Sequence, residues 1–116
     1  MGYIRHRAVI FTGCDYPDDA LSDLRRIADE KCRCTDAPPG VVSEVYSGVN
    51  GYNSFAVFPC GSKVGWGLSE KLDVVIDELI KLTEGRGIEY GRVQFYDDQG
   101  VVFLKTRDCE VEKVMK

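Results

Sequence analysis

A short glycine-rich loop carries the residue types best suited to binding chemistry. Gly61, Ser62 and Lys63 follow an apolar segment that ends at Pro59, and Trp66 lies three positions further on, ahead of an amphipathic segment. A loop that leads from a strand into a helix presents backbone N–H groups and the positive end of the helix dipole to an anion. Lys63 adds a positive charge there. The loop is not a P-loop, because the spacing G-x-x-x-x-G-K-[ST] is absent.

Three interpretations of this loop stay open. Its glycines serve only tight turns while Trp66 covers the core, or the loop contacts a phosphate or nucleotide. In the third interpretation the loop binds a protein, with Trp66 as the anchor, because tryptophan is enriched at the hot spots of interfaces.

A second cluster is basic and lies near the start of the sequence. Arg5 and Arg7 alternate with His6 on a predicted strand, so the two arginines share one face of it. Together they can hold a phosphate or carboxylate through charge-assisted hydrogen bonds. The alternative is that they pair with acids on neighbouring strands, such as Glu44 or Asp97.

No catalytic or metal-binding constellation can be identified. His6 is the one histidine, and nothing selects a thiol partner for it among the five cysteines. Cys32 and Cys34 lack the C-x-x-C spacing that favours zinc or redox chemistry. We therefore predict a protein without enzymatic activity, without a cofactor and without a metal, with its cysteines reduced. A small enzyme that acts on a nucleotide or phosphoester through the Gly61–Lys63 loop is the alternative.

Composition and charge exclude several function classes. The chain of 116 residues has the size of a single domain, and we predict one domain over residues 1–116. Its net charge of −4 argues against direct nucleic-acid binding, which needs clustered basic residues. No apolar run approaches the roughly 18 residues of a membrane span. These features predict a cytoplasmic protein that does not bind membranes.

Hydrophobic periodicity predicts the element order βαββαββ. Asn50-Gly51 indicates a tight turn between the second and third strands, and Pro59 ends the third. Ser69 is the expected N-cap of the second helix. The tail from Thr106 is expected to form one helical turn or to be frayed. The predicted strands cover residues 3–12, 41–47, 52–58, 90–96 and 101–105, and the predicted helices cover residues 17–31 and 69–82.

This order is typical of an α+β fold. Right-handed crossovers in each half would give a ferredoxin-like βαββαβ sheet with two helices on one face and an extra C-terminal hairpin strand. The edge strands of such a sheet can pair across a two-fold axis, so a homodimer is an open expectation. Tyr52, Tyr90 and Tyr96 are candidates for that contact.

Two segments resemble short proteins encoded by bacteriophages and prophages. The first follows a G-Y-I-R-H-x-A-I start up to Ala8, with Val9 in place of the isoleucine, and the second matches G-Y-x-S-F-x-V-x-P-x-G-S-K-x-G-W. The matching positions are Gly2, Tyr3, Ile4, Arg5, His6 and Ala8, followed by Gly51, Tyr52, Ser54, Phe55, Val57, Pro59, Gly61, Ser62, Lys63, Gly65 and Trp66. Cys60 departs from the polar residue expected before Gly-Ser-Lys, which puts a capping role of that position in doubt. The segment after Gly87 carries no resemblance.

The resemblance implies a biological context. Accessory proteins of phages often disarm host defences, either by plugging a host protein or by sequestering a signalling nucleotide. We therefore expect an inhibitor of host antiviral defence in the host cytoplasm, with a host defence protein or a nucleotide as partner. The group brings no catalytic residues. The candidate ligand- or partner-binding residues are Arg5, His6, Arg7, Tyr52, Ser54, Gly61, Ser62, Lys63 and Trp66.

Overall fold

The computed structural model describes residues 4–15, 18–63, 65–96 and 101–114. The predicted strand start at residue 3, the helix start at residue 17, the hairpin loop 97–100 and any pairing by Asp97 lie outside these residues. The elements are β1 Arg5–Cys14, α1 Ala20–Arg33, β2 Tyr46–Ser47, β3 Tyr52–Val57, α2 Gly67–Leu82, β4 Glu89–Tyr96, β5 Val101–Lys105 and β6 Glu110–Val114.

The strands form one antiparallel sheet in the order β2-β3-β1-β4-β5-β6. β1 pairs with β3 on one side and with β4 on the other, so Phe11 lies opposite both Phe55 and Tyr90. The predicted α+β class is confirmed: two helices accompany a six-stranded antiparallel sheet.

Alternation along β1 separates the two faces of the sheet. Val9 and Phe11 are fully buried, whereas Ile10 between them is exposed. The buried face packs against both helices, which also contact each other. α1 contributes Leu21, Leu24 and Ala28, spaced by three and four positions as an apolar helix stripe requires. Both helices therefore cover the same face, and the opposite face carries neither of them.

The second strand is shorter than predicted. Instead of residues 41–47, it covers only Tyr46–Ser47, and Val42 makes an isolated bridge to Val57. The cause lies in Ser43. Its backbone N–H donates to the carbonyl of Ala56, but its hydroxyl oxygen, rather than its carbonyl, accepts the N–H of Ala56 at 2.8 Å. A side chain thus replaces a backbone group and interrupts the regular ladder.

The prediction for the C-terminal segment was wrong. Residues 110–114 form strand β6, which pairs with β5 after a turn closed by a hydrogen bond from Thr106 N–H to the Cys109 carbonyl, 2.8 Å. The sheet consequently has six strands rather than five. Acidic and apolar residues alternate over 110–112, and register places Val111 directly opposite Leu104 on β5. The high charge of the segment had masked this alternation.

Candidate functional site

The two arginines of β1 converge on a carboxylate of α2. Asp73 forms ion pairs with the guanidinium groups of both Arg5 and Arg7, the second through Nη1 and Oδ1 at 2.8 Å. Arg5 also donates to the Ser69 hydroxyl at 3.2 Å, and Arg7 donates through Nε to the Gln94 side chain at 3.0 Å. All three charged side chains are largely buried between the sheet and α2. Asp73 thus takes the place of an anion between the two arginines, although the buried Nε of Arg5 has no hydrogen-bond partner among the described residues.

The predicted pairing with Glu44 was wrong. Glu44 contacts Arg25 of α1 instead, at 3.4 Å. Arg5 and Arg7 have the same parity as Val9 and therefore face the helices. Their counterion comes from the helix that covers them rather than from a neighbouring strand.

The glycine-rich loop lies beside the start of β1. An isolated bridge joins Lys63 to Ile4, and Gly61 and Gly65 take positive φ values of 79° and 89°, a region that favours glycine. The Ser62 hydroxyl is buried and lies 2.9 Å from the Cys60 sulfur. Ser62 therefore faces inward.

Trp66 is the exposed member of this loop. Its side chain is 54% accessible, and the Lys63 Nζ lies 5.7 Å from the centre of its ring, within cation–π range. Its carbonyl accepts the N–H of Glu70, so Trp66 immediately precedes the first turn of α2. The predicted N-cap role of Ser69 was wrong, because the helix begins at Gly67 and the Ser69 hydroxyl accepts from Arg5 instead.

Little space remains beside the arginines. The pocket bounded by Arg5, Arg7, Cys60 and Ser69 has a volume of about 20 Å³. That is room for about one water molecule. A nucleotide would therefore have to displace Asp73 or bind outside this pocket, over the exposed ring of Trp66.

The remaining candidate residues lie on the opposite face of the sheet. The His6 ring packs against Phe95, with centroids 4.9 Å apart. Ser54 shares a hydrogen bond with Thr12, with oxygen atoms 2.9 Å apart, and Tyr52 is exposed near the end of the same strand. The nine candidates therefore fall into two groups. Arg5, Arg7 and the loop lie around the start of α2, whereas His6, Tyr52 and Ser54 lie on the helix-free face.

Asp73 was missed as a functional residue because its position on α2 is typical of a solvent-facing one. A signal for it does exist in the sequence. Asp73 and Asp77 are spaced i, i+4 on one helix face, and both form ion pairs with strand arginines, Asp77 with Arg92 at 3.0 Å. Acids with this spacing, together with arginines spaced by two on a strand, indicate a helix packed over that strand.

The helix-free face, which we call the open face, is largely apolar. Strand register places its side chains in cross-strand rows, one of which joins Ala8, Val93, Leu104 and Val111 across four strands. Ten large hydrophobic residues are exposed in the part of the chain that the structure describes. Strand register places six of them on this face: Ile10, Tyr46, Tyr52, Phe95, Leu104 and Val111. Most of the exposed apolar surface is therefore concentrated here.

Cys32 lines the floor of a separate, open cleft. This cleft has a volume of about 360 Å³ and lies between the end of α1 and the loop 37–42, with Arg33 and Val41 also on its walls. Burial raises the pKa of the Cys32 thiol, and the negative charge of Asp29 nearby raises it further by a smaller amount. A protonated, buried thiol is a poor nucleophile. The cleft contains none of the candidate residues.

The described residues show neither a metal-binding cluster nor a membrane-spanning helix. Over residues 4–15, 18–63, 65–96 and 101–114, no group of three or more His, Cys, Asp or Glu side chains is placed to hold a metal ion. Neither α1 nor α2, the two helices described, is long and apolar enough to cross a membrane.

Comparison with protein-family models, with curated proteins and with solved structures found no match. The resemblance to phage proteins stays a prediction.

Proposed function

We propose that this chain is a non-catalytic phage accessory protein that inhibits a host antiviral defence by docking a host protein through Trp66 and the loop around it. The observation that carries the proposal is the contrast within one site. Arg5 and Arg7 share Asp73 as their counterion, whereas Trp66 is exposed beside Lys63. An internal carboxylate thus occupies the arginines that could bind a phosphate, whereas the Trp66 ring remains accessible to a partner.

The type of surface favours a protein over a nucleotide. Tryptophan offers a large apolar area at low cost in side-chain entropy, and Lys63 beside it supplies a charge at the rim. A sequestered nucleotide needs an enclosing pocket with convergent donors, and the space beside Arg5 and Arg7 is about 20 Å³.

Photo-crosslinking tests the proposal directly. A photoreactive phenylalanine analogue replaces Trp66 in one variant and Val74 in another. Val74 is a matched control, since it is 55% accessible and lies on α2, the helix that Trp66 precedes. Illumination in host bacteria that carry the defence system is expected to join a host protein to position 66 and not to position 74. Trp66→Ala should then weaken binding of that purified protein about 30-fold or more, the range of a central hot spot.

Two results would refute this function. The first is full protection of phage growth by Trp66→Ala in the same bacteria. The second is an increase of several degrees in melting temperature with a cyclic or ADP-ribose-type nucleotide, abolished by Trp66→Ala, since that result assigns the loop to nucleotide sequestration.

We also propose a ferredoxin-like arrangement for the part of the chain from β1 to β4, with β5 and β6 as an extension of the sheet. The support is the order β4-β1-β3-β2 and the position of both helices on one face. An experimental structure in which β1 lies at an edge of the sheet would contradict it.

A further inference from the structure

The open face is large enough for a small interface. Five of its strands, β3, β1, β4, β5 and β6, pair over four to eight residues. At about 4.8 Å per strand and about 3.3 Å per residue, their footprint is on the order of 400 Å², within the range of about 300–600 Å² of the largest apolar patch on a monomer. Side chains standing on the sheet add area to this footprint, so a dimer through this face lies at the small end of the range around the roughly 800 Å² per partner of a standard interface.

Charge on this face is confined to its margin. Glu89 lies opposite Thr12 in a polar row at one end of the face, and register also places Lys113, opposite Val102 on the edge strand β6, on this side of the sheet. The chain as a whole has a net charge of −4. Two copies that meet through this face therefore keep most of their like charges apart, whereas a charged face would select a partner of opposite sign.

The shape of the face is complementary to itself. Ile10 lies near the middle of β1 and is 54% accessible, and its cross-strand neighbours are the small residues Ala56 and Gly91. A Cβ atom at position 91 would meet no atom within 4 Å. A protrusion thus lies directly beside a recess, on adjacent strands.

In a dimer with two-fold symmetry, the contact between Ile10 and Gly91 would occur twice. If the axis runs parallel to the strands and passes between β1 and β4, each Ile10 lies over Gly91 of the other copy. The two sheets then stack face to face at about 10 Å, the usual spacing of packed sheets. Such an interface is isologous, the arrangement most common in homodimers.

The edges of the sheet are poor alternatives for self-association. β2 offers only two residues, and β6 carries the charged residues Glu110, Glu112 and Lys113. Short strands and charged side chains are established protections of sheet edges. Face-to-face stacking avoids both obstacles.

We propose that the open face binds a second copy of this chain, forming a two-sheet homodimer centred on Ile10 and Gly91. The inference does not rest on the proposed function, because Trp66 immediately precedes α2, which packs on the other side of the sheet.

Sedimentation equilibrium over a wide dilution series tests the dimer. The wild-type chain, 13.0 kDa per copy, is expected to approach twice that mass, with Kd on the order of micromolar for an interface of this size. Ile10→Glu and Gly91→Val are each expected to raise Kd about 30-fold or more, as changes at the centre of an interface do. Val74→Glu, an equally exposed control on α2, should leave Kd unchanged.

Gly91→Val also separates loss of the dimer from loss of the fold. Valine favours strands and has space at this position in the single copy, so unfolding measured at high dilution should show equal or greater stability. A wild-type chain that stays at the mass of one copy overturns the proposal. A dimer that tolerates both Ile10→Glu and Gly91→Val also overturns it.

Discussion

Asp73 is the residue whose removal tests the charge arrangement around α2. Asp73→Asn keeps the size and polarity of the side chain but leaves Arg5 and Arg7 without their shared counterion. Their side chains are 16% and 18% accessible, and that of Asp73 is 23% accessible. Breaking a buried ion pair costs about 3–5 kcal/mol, whereas exposed pairs are worth about 0–1 kcal/mol. For this intermediate burial we expect a loss of about 2–3 kcal/mol, or about 10 °C in melting temperature.

Urea unfolding at one fixed protein concentration is the assay, because self-association makes stability depend on concentration. Asp77→Asn is the matched control. It is the same substitution one turn away, on a side chain that is 61% accessible, although its partner Arg92 is 15% accessible. Because this carboxylate is exposed and serves one arginine rather than two, its loss should cost clearly less, about 1 kcal/mol. Inorganic phosphate supplies a second measurement. The vacated arginines of Asp73→Asn should bind it and recover about 2.7 kcal/mol at a hundredfold excess over Kd.

Equal losses for Asp73→Asn and Asp77→Asn would refute the reasoning, since they would mean that the burial of the Asp73 carboxylate and its second arginine add nothing to the stability. Equal stabilisation of the wild type and of Asp73→Asn by phosphate would also refute it. That result would show that Arg5 and Arg7 accept an anion while Asp73 is present, and it would reopen a nucleotide ligand.

Two further predictions concern the ends of elements. Burial alone would raise the pKa of Asp15, but hydrogen bonds from a nearby asparagine and from the start of α1 outweigh it and lower the pKa from 3.8. The stability due to the carboxylate is therefore complete above that value and lost as the pH falls through the folded-state pKa. The difference in unfolding free energy between the wild type and Asp15→Asn should be constant near neutral pH and shrink below about pH 4; a difference independent of pH contradicts this. Gly48→Ala should cost about 1–3 kcal/mol, because its Cβ would lie 2.6 Å from the Tyr52 carbonyl oxygen. Gly67→Ala, which meets nothing within 4 Å, should not destabilise in thermal melts, and equal effects of the two substitutions would contradict the steric account.

The helices and the long strands could be predicted from the sequence because their signals are local. The apolar stripe of α1 and the turn at Asn50-Gly51 are both complete within a few residues, and Asn50 indeed takes a positive φ of 58°. The shortening of β2 could not be predicted in this way. It depends on the hydroxyl of Ser43 meeting Ala56, a contact between distant parts of the sequence.

The same limit applies to the candidate site. Arg5, Arg7 and Lys63 were recognised by residue type, and the structure does place them near the start of α2. Their partner Asp73 lies 68 positions from Arg5 in the sequence, so local spacing can indicate that the helix covers the strand but not which acid pairs with which arginine. Residue types therefore predict which groups can bind an anion, but not whether the protein supplies its own.

The central place of β1 has a consequence for how the chain folds. Its middle residue Val9 lies opposite Val57 on one side and Arg92 on the other. During synthesis this central strand thus emerges before its two neighbours and acquires the second of them only when β4 follows. Contacts of such long sequence separation slow folding, since a large loop must close before they form. Until then the unpaired edge of β1 is open to pairing with other chains. Folding yield in the cell should therefore depend on how quickly the last third of the chain is completed.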